Sequence, residues 1–219
     1  MTEEGRQETQ ETPEELLTRR RAMVLDSLNS KRHRIAPVGA SSAQWHRVSE
    51  KLQHELVEAL VRREWPILLF GPTGRGKSCA MACVYMALPI EFMTLWFDTG
   101  ELLQRVMECR QKGHSIRETQ SGFTVTESEF DIKRKIKSAD YVFFDDVGVK
   151  APTETQRAAF EEIVNLREGK PTIYSTNKTA AEMADLFDMR IVSRIFRGTP
   201  INVKSGDDRR LVGQKIREV

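Results

Sequence analysis

The chain has 219 residues, which at roughly 100 to 200 residues per domain gives one full domain with an appendage and excludes a second large catalytic domain. Hydrophobic residues make up 39% and charged residues 30%, enough for one core beneath a charged surface, which excludes a membrane protein and a wholly disordered one. Lys and Arg number 34 against 32 Asp and Glu, a net charge of +2, so nucleic-acid binding has to rest on local basic clusters. No stretch approaches the roughly 20 apolar residues that span a bilayer. The odd set Cys79, Cys83 and Cys109, with no secretory leader ahead of it, argues against a disulfide framework and for a cytoplasmic protein.

Residues 1–12 hold four glutamates and no large apolar side chain after Met1, the composition of a disordered tip. From Pro13 a helical pattern runs through Leu16, Leu17, Met23, Val24, Leu25 and Leu28 to Asn29-Ser30, with Arg19-Arg20-Arg21 inside it and Lys31, Arg32 and Arg34 just beyond. It reads either as a solvated helix or as a docking appendage for a partner or nucleic acid. Pro37 to Ser42 looks like a linker, so residues 1–40 are assigned to an N-terminal extension and 41–219 to the core domain. A helix from Gln44 to about Arg63 carries Val48, Leu52, Leu56, Leu60 and Val61 on one side. Five short apolar runs follow, at 67–70, 92–97, 141–144, 172–175 and 201–203. Strands alternating with helices predict an α/β fold with a parallel five-stranded sheet flanked by helices.

Gly71-Pro72-Thr73-Gly74-Arg75-Gly76-Lys77-Ser78 fits the P-loop pattern between the strand-like Ile67 to Phe70 and a helix from Ser78 to Leu88. Glycines let backbone N–H groups converge on phosphate oxygens, and the helix amino terminus adds donors and a favourable dipole. Lys77 is expected to reach the β- and γ-phosphates and the Ser78 hydroxyl to ligate Mg²⁺. Cys79 is grouped with this nucleotide-binding set, although Cys79 and Cys83, four apart, also read as small core residues. Tyr141-Val142-Phe143-Phe144-Asp145-Asp146 is an apolar strand ending in two carboxylates. There Asp145 is expected at Mg²⁺ and Asp146 at the attacking water. Thr153 and Gln156 stand in capping-box spacing ahead of a helix whose inner face is Ala159, Phe160, Ile163, Val164 and Leu166. The strand Thr172 to Ser175 runs into Asn177, an amide placed either to cap a helix or to contact the γ-phosphate and catalytic water.

Together the GPTGRGKS turn, the FFDD strand, the YSTN strand end and the arginines of Asp188-Met189-Arg190-Ile191-Val192-Ser193-Arg194-Ile195 resemble the AAA+ ATPases. Within them residues 45–212 look most like the DnaC-type helicase loaders and the IstB transposition ATPases. The resemblance implies a P-loop AAA+ core with a reduced or absent lid, binding ATP and Mg²⁺. It matches Lys77 and Ser78 to Walker A, Asp145 and Asp146 to Walker B and Asn177 to sensor 1. Arg194 matches an arginine finger with Arg190 as its companion, and Arg210, or Arg209, matches the late arginine likened to sensor 2. A finger acting in trans implies self-association around ATP and slow hydrolysis by the lone subunit. Otherwise Arg190, Arg194 and Arg197, at spacings of four and three, form a solvated or DNA-facing stripe. The usual Walker B glutamate is Asp146 here, one methylene shorter, which also implies slow hydrolysis.

Thr99 to Asp140 is longer than a plain crossover helix needs. Asp98-Thr99-Gly100-Glu101 caps a helix with Leu102, Leu103, Val106 and Met107, a polar loop is expected over 113–126, and the next helix carries Lys133-Arg134-Lys135-Ile136-Lys137. The resemblance suggests that an extra helical element here lines a single-stranded DNA path. Lys133, Arg134, Lys135 and Lys137 are the expected contacts, and Phe123 and Phe130 are read as core residues before base-stacking ones. The leading expectation is an ATPase that loads a replicative helicase onto single-stranded DNA. The alternatives are an IstB-like regulator of transposition, a nucleotide-gated DNA-binding module with negligible hydrolysis, and a small-molecule phosphotransferase, for which no acceptor motif is visible.

Overall fold

The computed structural model describes residues 11–30, 34–37, 40, 42–118 and 122–204. Helix α1, Pro13–Asn29, starts at a capping box in which Thr12 accepts from the Glu15 amide and the Glu15 carboxylate accepts from the Thr12 amide. A single 3-10 turn at Trp45–Arg47 precedes α2, Glu50–Arg62, so the helix read from Gln44 begins at Glu50. Helix α1 lies against α2. Leu28 is buried in the same apolar cluster as Leu52 and Leu56, and Arg21 donates two hydrogen bonds to Glu58, at 2.8 and 2.9 Å. The acidic tip as far as residue 10 and Lys31-Arg32 lie outside the described residues, as do Arg209 and Arg210 in the stretch 205–219.

The core continues through β1 (Ile67–Phe70), α3 (Lys77–Ala87), β2 (Thr94–Asp98) and α4 (Thr99–Lys112). An antiparallel hairpin of β3 (Ser115–Glu118) and β4 (Thr124–Glu127) follows, then α5 (Glu129–Ser138) and β5 (Tyr141–Asp145). Then come α6 (Glu154–Leu166), β6 (Thr172–Thr176), α7 (Ala180–Leu186), α8 (Met189–Phe196) and β7 (Thr199–Asn202). Five strands form one parallel sheet in the order β2-β5-β6-β1-β7. The register sets Leu69 beside Ser175 and Phe144 beside Tyr174.

Both faces of the sheet are buried, which is why its strands read as continuous apolar runs. Side chains alternate across the pleat: Ile67, Leu69 and Phe143 join the cluster under α1, α2 and α3, whereas Leu68, Val142, Phe144 and Tyr174 join the one under α4 to α8. Arg167, at the end of α6, is buried and donates to the carbonyls of Ile136, Ala139 and Pro171, closing the loops around α5 and β6. Burial pushes its pKa down to about 10.

Two expectations about the insert are corrected. The segment expected as a polar loop holds the β3–β4 hairpin, whose strands bond each other while Ile116, Thr124 and Thr126 face solvent. Phe123 and Phe130 are each 72% exposed and belong to no core. No helix of the described residues is long and apolar enough to cross a membrane.

Candidate functional site

The phosphate loop leaves β1 through Gly71, whose φ of +134° lies outside the range of ordinary L residues. A Cβ there would sit 2.6 Å from the Val203 carbonyl oxygen, because Val203 donates its amide to the Phe70 carbonyl at 2.7 Å and holds the chain after β7 against the loop. Gly76, with φ +91°, turns the chain into α3. The loop therefore opens onto a helix amino terminus, where backbone N–H groups point outward and anions are favoured. Lys77 is buried, and its ammonium donates to the Gly71 and Pro72 carbonyls at 2.7 and 2.8 Å. Arg75, in the same loop, has two buried guanidinium nitrogens, Nε and Nη1, without a hydrogen-bond partner.

The glycine turn and the acidic strand end meet directly. The Ser78 hydroxyl donates to Asp145 Oδ1 at 2.9 Å, and Ser175 on β6 donates to the same oxygen. Ser175 is the contact that sequence reading missed. The only signal for it was register, since β6 lies beside β5 and Tyr174 opposite Phe144. Burial pushes the Asp145 carboxyl above the usual carboxylate range and the neighbouring Asp146 charge adds to this, against the hydrogen bonds from Ser175 and Ser78. No cation of the described residues pairs with Asp145 in an ion pair within 4.0 Å. A half-buried carboxylate short of positive charge, beside a hydroxyl, is the donor set that a hard divalent cation takes.

Asp146 has a φ of +56°, its amide donates to Ser175 Oγ at 3.0 Å, and its carboxylate is exposed. This left-handed turn takes the chain out of the strand direction at the second carboxylate. Asn177 follows β6 and lines a cleft with Gly71, Pro72, Thr73 and Lys178. Its Oδ1 is buried without a partner. Orphaned buried polar atoms are rare enough to need a reason. Arg75 lacks acceptors and Asn177 Oδ1 lacks a donor, so the loop fits a polyanion with a water beside it.

Arg194 stands apart from this cleft. On α8 it donates to the Arg190 carbonyl at 3.2 Å and lies 3.8 Å from Glu168, which also pairs with Arg197 at 3.0 Å. Arg190, Arg194 and Arg197 thus share one surface hollow with a single carboxylate. Arg194 keeps about a third of its side chain exposed and is not sealed in its own subunit. Cys83 is buried and Cys79 packs against the same cluster as α3. The basic run on α5 is divided: Lys133 bridges Glu129 and Glu162, Lys135 pairs with Glu127 at 2.6 Å, and Arg134 with Asp131 at 3.3 Å. Lys137 is exposed under the sheet. A continuous cationic face is therefore not what α5 presents.

No family model matches the chain. The chromosomal replication initiator protein DnaA of Acinetobacter baumannii is 28% identical over 147 residues, covering 65% of this chain and 28% of that protein. DnaA of Acinetobacter baylyi matches at the same identity over the same length. The chain thus spans 28% of the length of these curated relatives. Among solved structures, AMPPCP-bound DnaA from Aquifex aeolicus aligns with a TM-score of 0.59 at 20% identity, over 74% of this chain and 50% of that one. The DnaC helicase loader aligns at 0.52 and 18%, over 64% and 77%. DnaA bound to AMPPCP and single-stranded DNA aligns at 0.59 and 19%, over 75% and 49%. These likenesses show the fold, an α/β domain with a parallel five-stranded sheet flanked by helices.

Proposed function

We propose that this chain binds ATP with Mg²⁺ at the glycine turn, hydrolyses it slowly in an assembly of its own copies, and uses the nucleotide state to load a replicative helicase onto single-stranded DNA. The observation that carries the nucleotide part is the direct hydrogen bond from Ser78 to Asp145, which supports reading the glycine turn and the acidic strand end as one metal-binding site. Similarity to DnaA and to the DnaC helicase loader supports the replication part.

In this mechanism Lys77 exchanges the Gly71 and Pro72 carbonyls for β- and γ-phosphate oxygens, so its charge is already positioned and only its acceptors change. Ser78 and Asp145 hold Mg²⁺, which when bound withdraws charge from the phosphate oxygens. Asp146 orients or deprotonates the attacking water and Asn177 Oδ1 accepts from the same water, and the charge that builds on the γ-phosphate beyond what Lys77 meets calls for an external cation. That cation is Arg194 of the next copy, presented on a surface where one Glu168 faces three guanidinium groups. Hydrolysis then depends on assembly, because the finger and the glycine turn belong to different copies. The short, exposed Asp146 also favours a second reading, a nucleotide-gated DNA-binding module with negligible hydrolysis.

ATPase rates measured against protein concentration test this for wild type, Lys77→Ala, Asp146→Asn and Arg194→Ala. The expected pattern is loss of nucleotide binding in the first. In the second the rate falls by about 10² or more with binding kept, and in the third by about 10³ with binding kept. Three variants equal to wild type would remove the mechanism. Capture of a hexameric helicase with ATP from host lysate tests loading, and comparing single-strand with duplex affinity separates it from an IstB-like role.

A further inference from the structure

The strands of the sheet are parallel, so the nucleotide elements all stand at its carboxyl edge. The amino edge carries a second, unrelated cleft, lined by Arg63, Trp65, Phe92, Lys137, Tyr141 and Lys170 among others. Its floor is a row of rings: Phe92 lies 5.5 Å from Tyr141 at 61°, and Tyr141 lies 6.0 Å from Trp65 at 82°. Its rim is cationic. Lys170 donates to the Lys137 carbonyl at 2.7 Å, and Arg63, Lys137 and Lys170 form no ion pair within 4.0 Å among the described residues. The one carboxylate lining it, Asp140, is engaged by the Met93 amide at 2.8 Å.

Phe92 carries the cleft into the turn between α3 and β2, whose backbone is pinned by hydrogen bonds. Arg34 donates to the carbonyls of Leu88, Pro89 and Phe92, while the Met93 carbonyl accepts from Asp140 at 2.8 Å and Tyr141 at 3.3 Å. On this pinned turn Ile90 is 70% exposed, Phe92 40% and Met93 39%. Apolar side chains displayed on a backbone already fixed by hydrogen bonds form a surface whose ordering cost is met before any partner arrives.

We propose that this cleft docks an acidic segment of a partner protein, its apolar side chains on Ile90, Phe92 and Met93 and its carboxylates on Arg63, Lys137 and Lys170. Charge complementarity sets the sign of the occupant, since three unpaired cations surround one engaged carboxylate. The apolar wall sets its class. Ile90 and Met93 are aliphatic, and the rings meet at steep angles, spending edges and faces on each other, whereas bases need parallel platforms. The reading is independent of the nucleotide site and of DNA loading.

Fluorescence anisotropy tests it on the full chain with three labelled probes. They are a 12-residue peptide alternating Asp with Leu or Phe, the same peptide with Ser at every apolar position, and a 20-nucleotide oligo(dT). The expected result is saturable binding of the first, at least tenfold weaker binding of the second, and tenfold weakening of the first by both Arg63→Glu/Lys170→Glu and Ile90→Ser/Phe92→Ser. Labelled-ATP affinity and melting temperature of Arg63→Glu/Lys170→Glu are expected to match wild type, so a folding defect is recognised. Equal binding of both peptides, or indifference to both double variants, overturns the proposal. Oligo(dT) binding that both double variants abolish overturns it in favour of nucleic acid.

Discussion

Two carboxylates in this molecule, Glu127 buried and Asp145 half-buried, have opposite surroundings. Glu127, at the end of the hairpin, is met by Arg105 from α4, Arg117 at 3.1 Å from β3 and Lys135 at 2.6 Å from α5. Burial alone would raise its pKa, but the hydrogen bond from Lys135 and the charges of Arg105, Arg117 and Lys135 outweigh that and hold it below the usual range. Asp145 meets only hydroxyls and an amide, and burial raises it. Glu127 is complete within its own chain and ties three elements together, whereas Asp145 is short of a positive charge that nothing in the described fold supplies. A carboxylate that the fold leaves costly is a candidate for function, and one that the fold satisfies is a candidate for structure.

Asp145→Asn gives the largest contrast. The asparagine keeps an oxygen for Ser78 and Ser175 but loses the charge. ATP hydrolysis with Mg²⁺ is expected to fall by about 10² or more, while the metal-free protein melts higher than wild type. Calorimetry with and without Mg²⁺ checks both: the metal should stabilise wild type and leave the variant unchanged. A variant that melts lower without metal would mean that Asp145 is already neutralised. Glu127→Gln should do the reverse, destabilising the fold by about 2–3 kcal/mol because three cations lose their shared partner, with labelled-ATP affinity kept. Urea unfolding measures it, and an unchanged midpoint would make the hub incidental.

The pH dependence sharpens the same contrast with a smaller effect. Glu127 has a lowered folded pKa, so its contribution is present above its unfolded value near 4.5 and is lost as pH falls through the folded one. Asp145 has a raised folded pKa, so its contribution is fully present below 3.8 and is lost as pH rises through the folded value. Stability curves should therefore flatten on the acid side in Glu127→Gln. Asp145→Asn should gain on wild type at neutral pH and converge with it near pH 3.

This asymmetry also explains what the sequence showed and what it hid. The glycine turn, the strand ending in Asp145-Asp146 and the position of Asn177 were legible, because their chemistry is local and the runs around them are apolar on both faces. The five sheet strands were placed to within two residues or so, with β2 beginning at Thr94 and β7 at Thr199. The hairpin was not legible, since Ser-Ile-Arg-Glu and Thr-Val-Thr-Glu each hold one apolar residue and carry no alternation to read. Nor was the burial of Glu127 and Arg167, because the partners that allow it come from other elements. The same blindness made Lys133 and Lys135 look like a free cationic stripe, when Glu129, Glu162 and Glu127 meet them from neighbouring turns.

Phe123, just before β4, and Phe130, on α5, flank Glu127 in sequence and are expected to give the smallest effect. Core phenylalanines cost about 3–5 kcal/mol when truncated, whereas side chains already in water change stability by less than about 0.5 kcal/mol. Phe130 carries the Arg134 guanidinium 5.9 Å from its ring centroid, an exposed pairing that adds about 0.5 kcal/mol at most under such conditions. Urea unfolding of Phe123→Ser and Phe130→Ser is therefore expected to leave the midpoint nearly where wild type has it, while Phe160→Ala, in the core under α6, shifts it strongly. If Phe123→Ser unfolds as readily as Phe160→Ala, Phe123 is packed in solution and the hairpin buries more than Ser115 and Glu127.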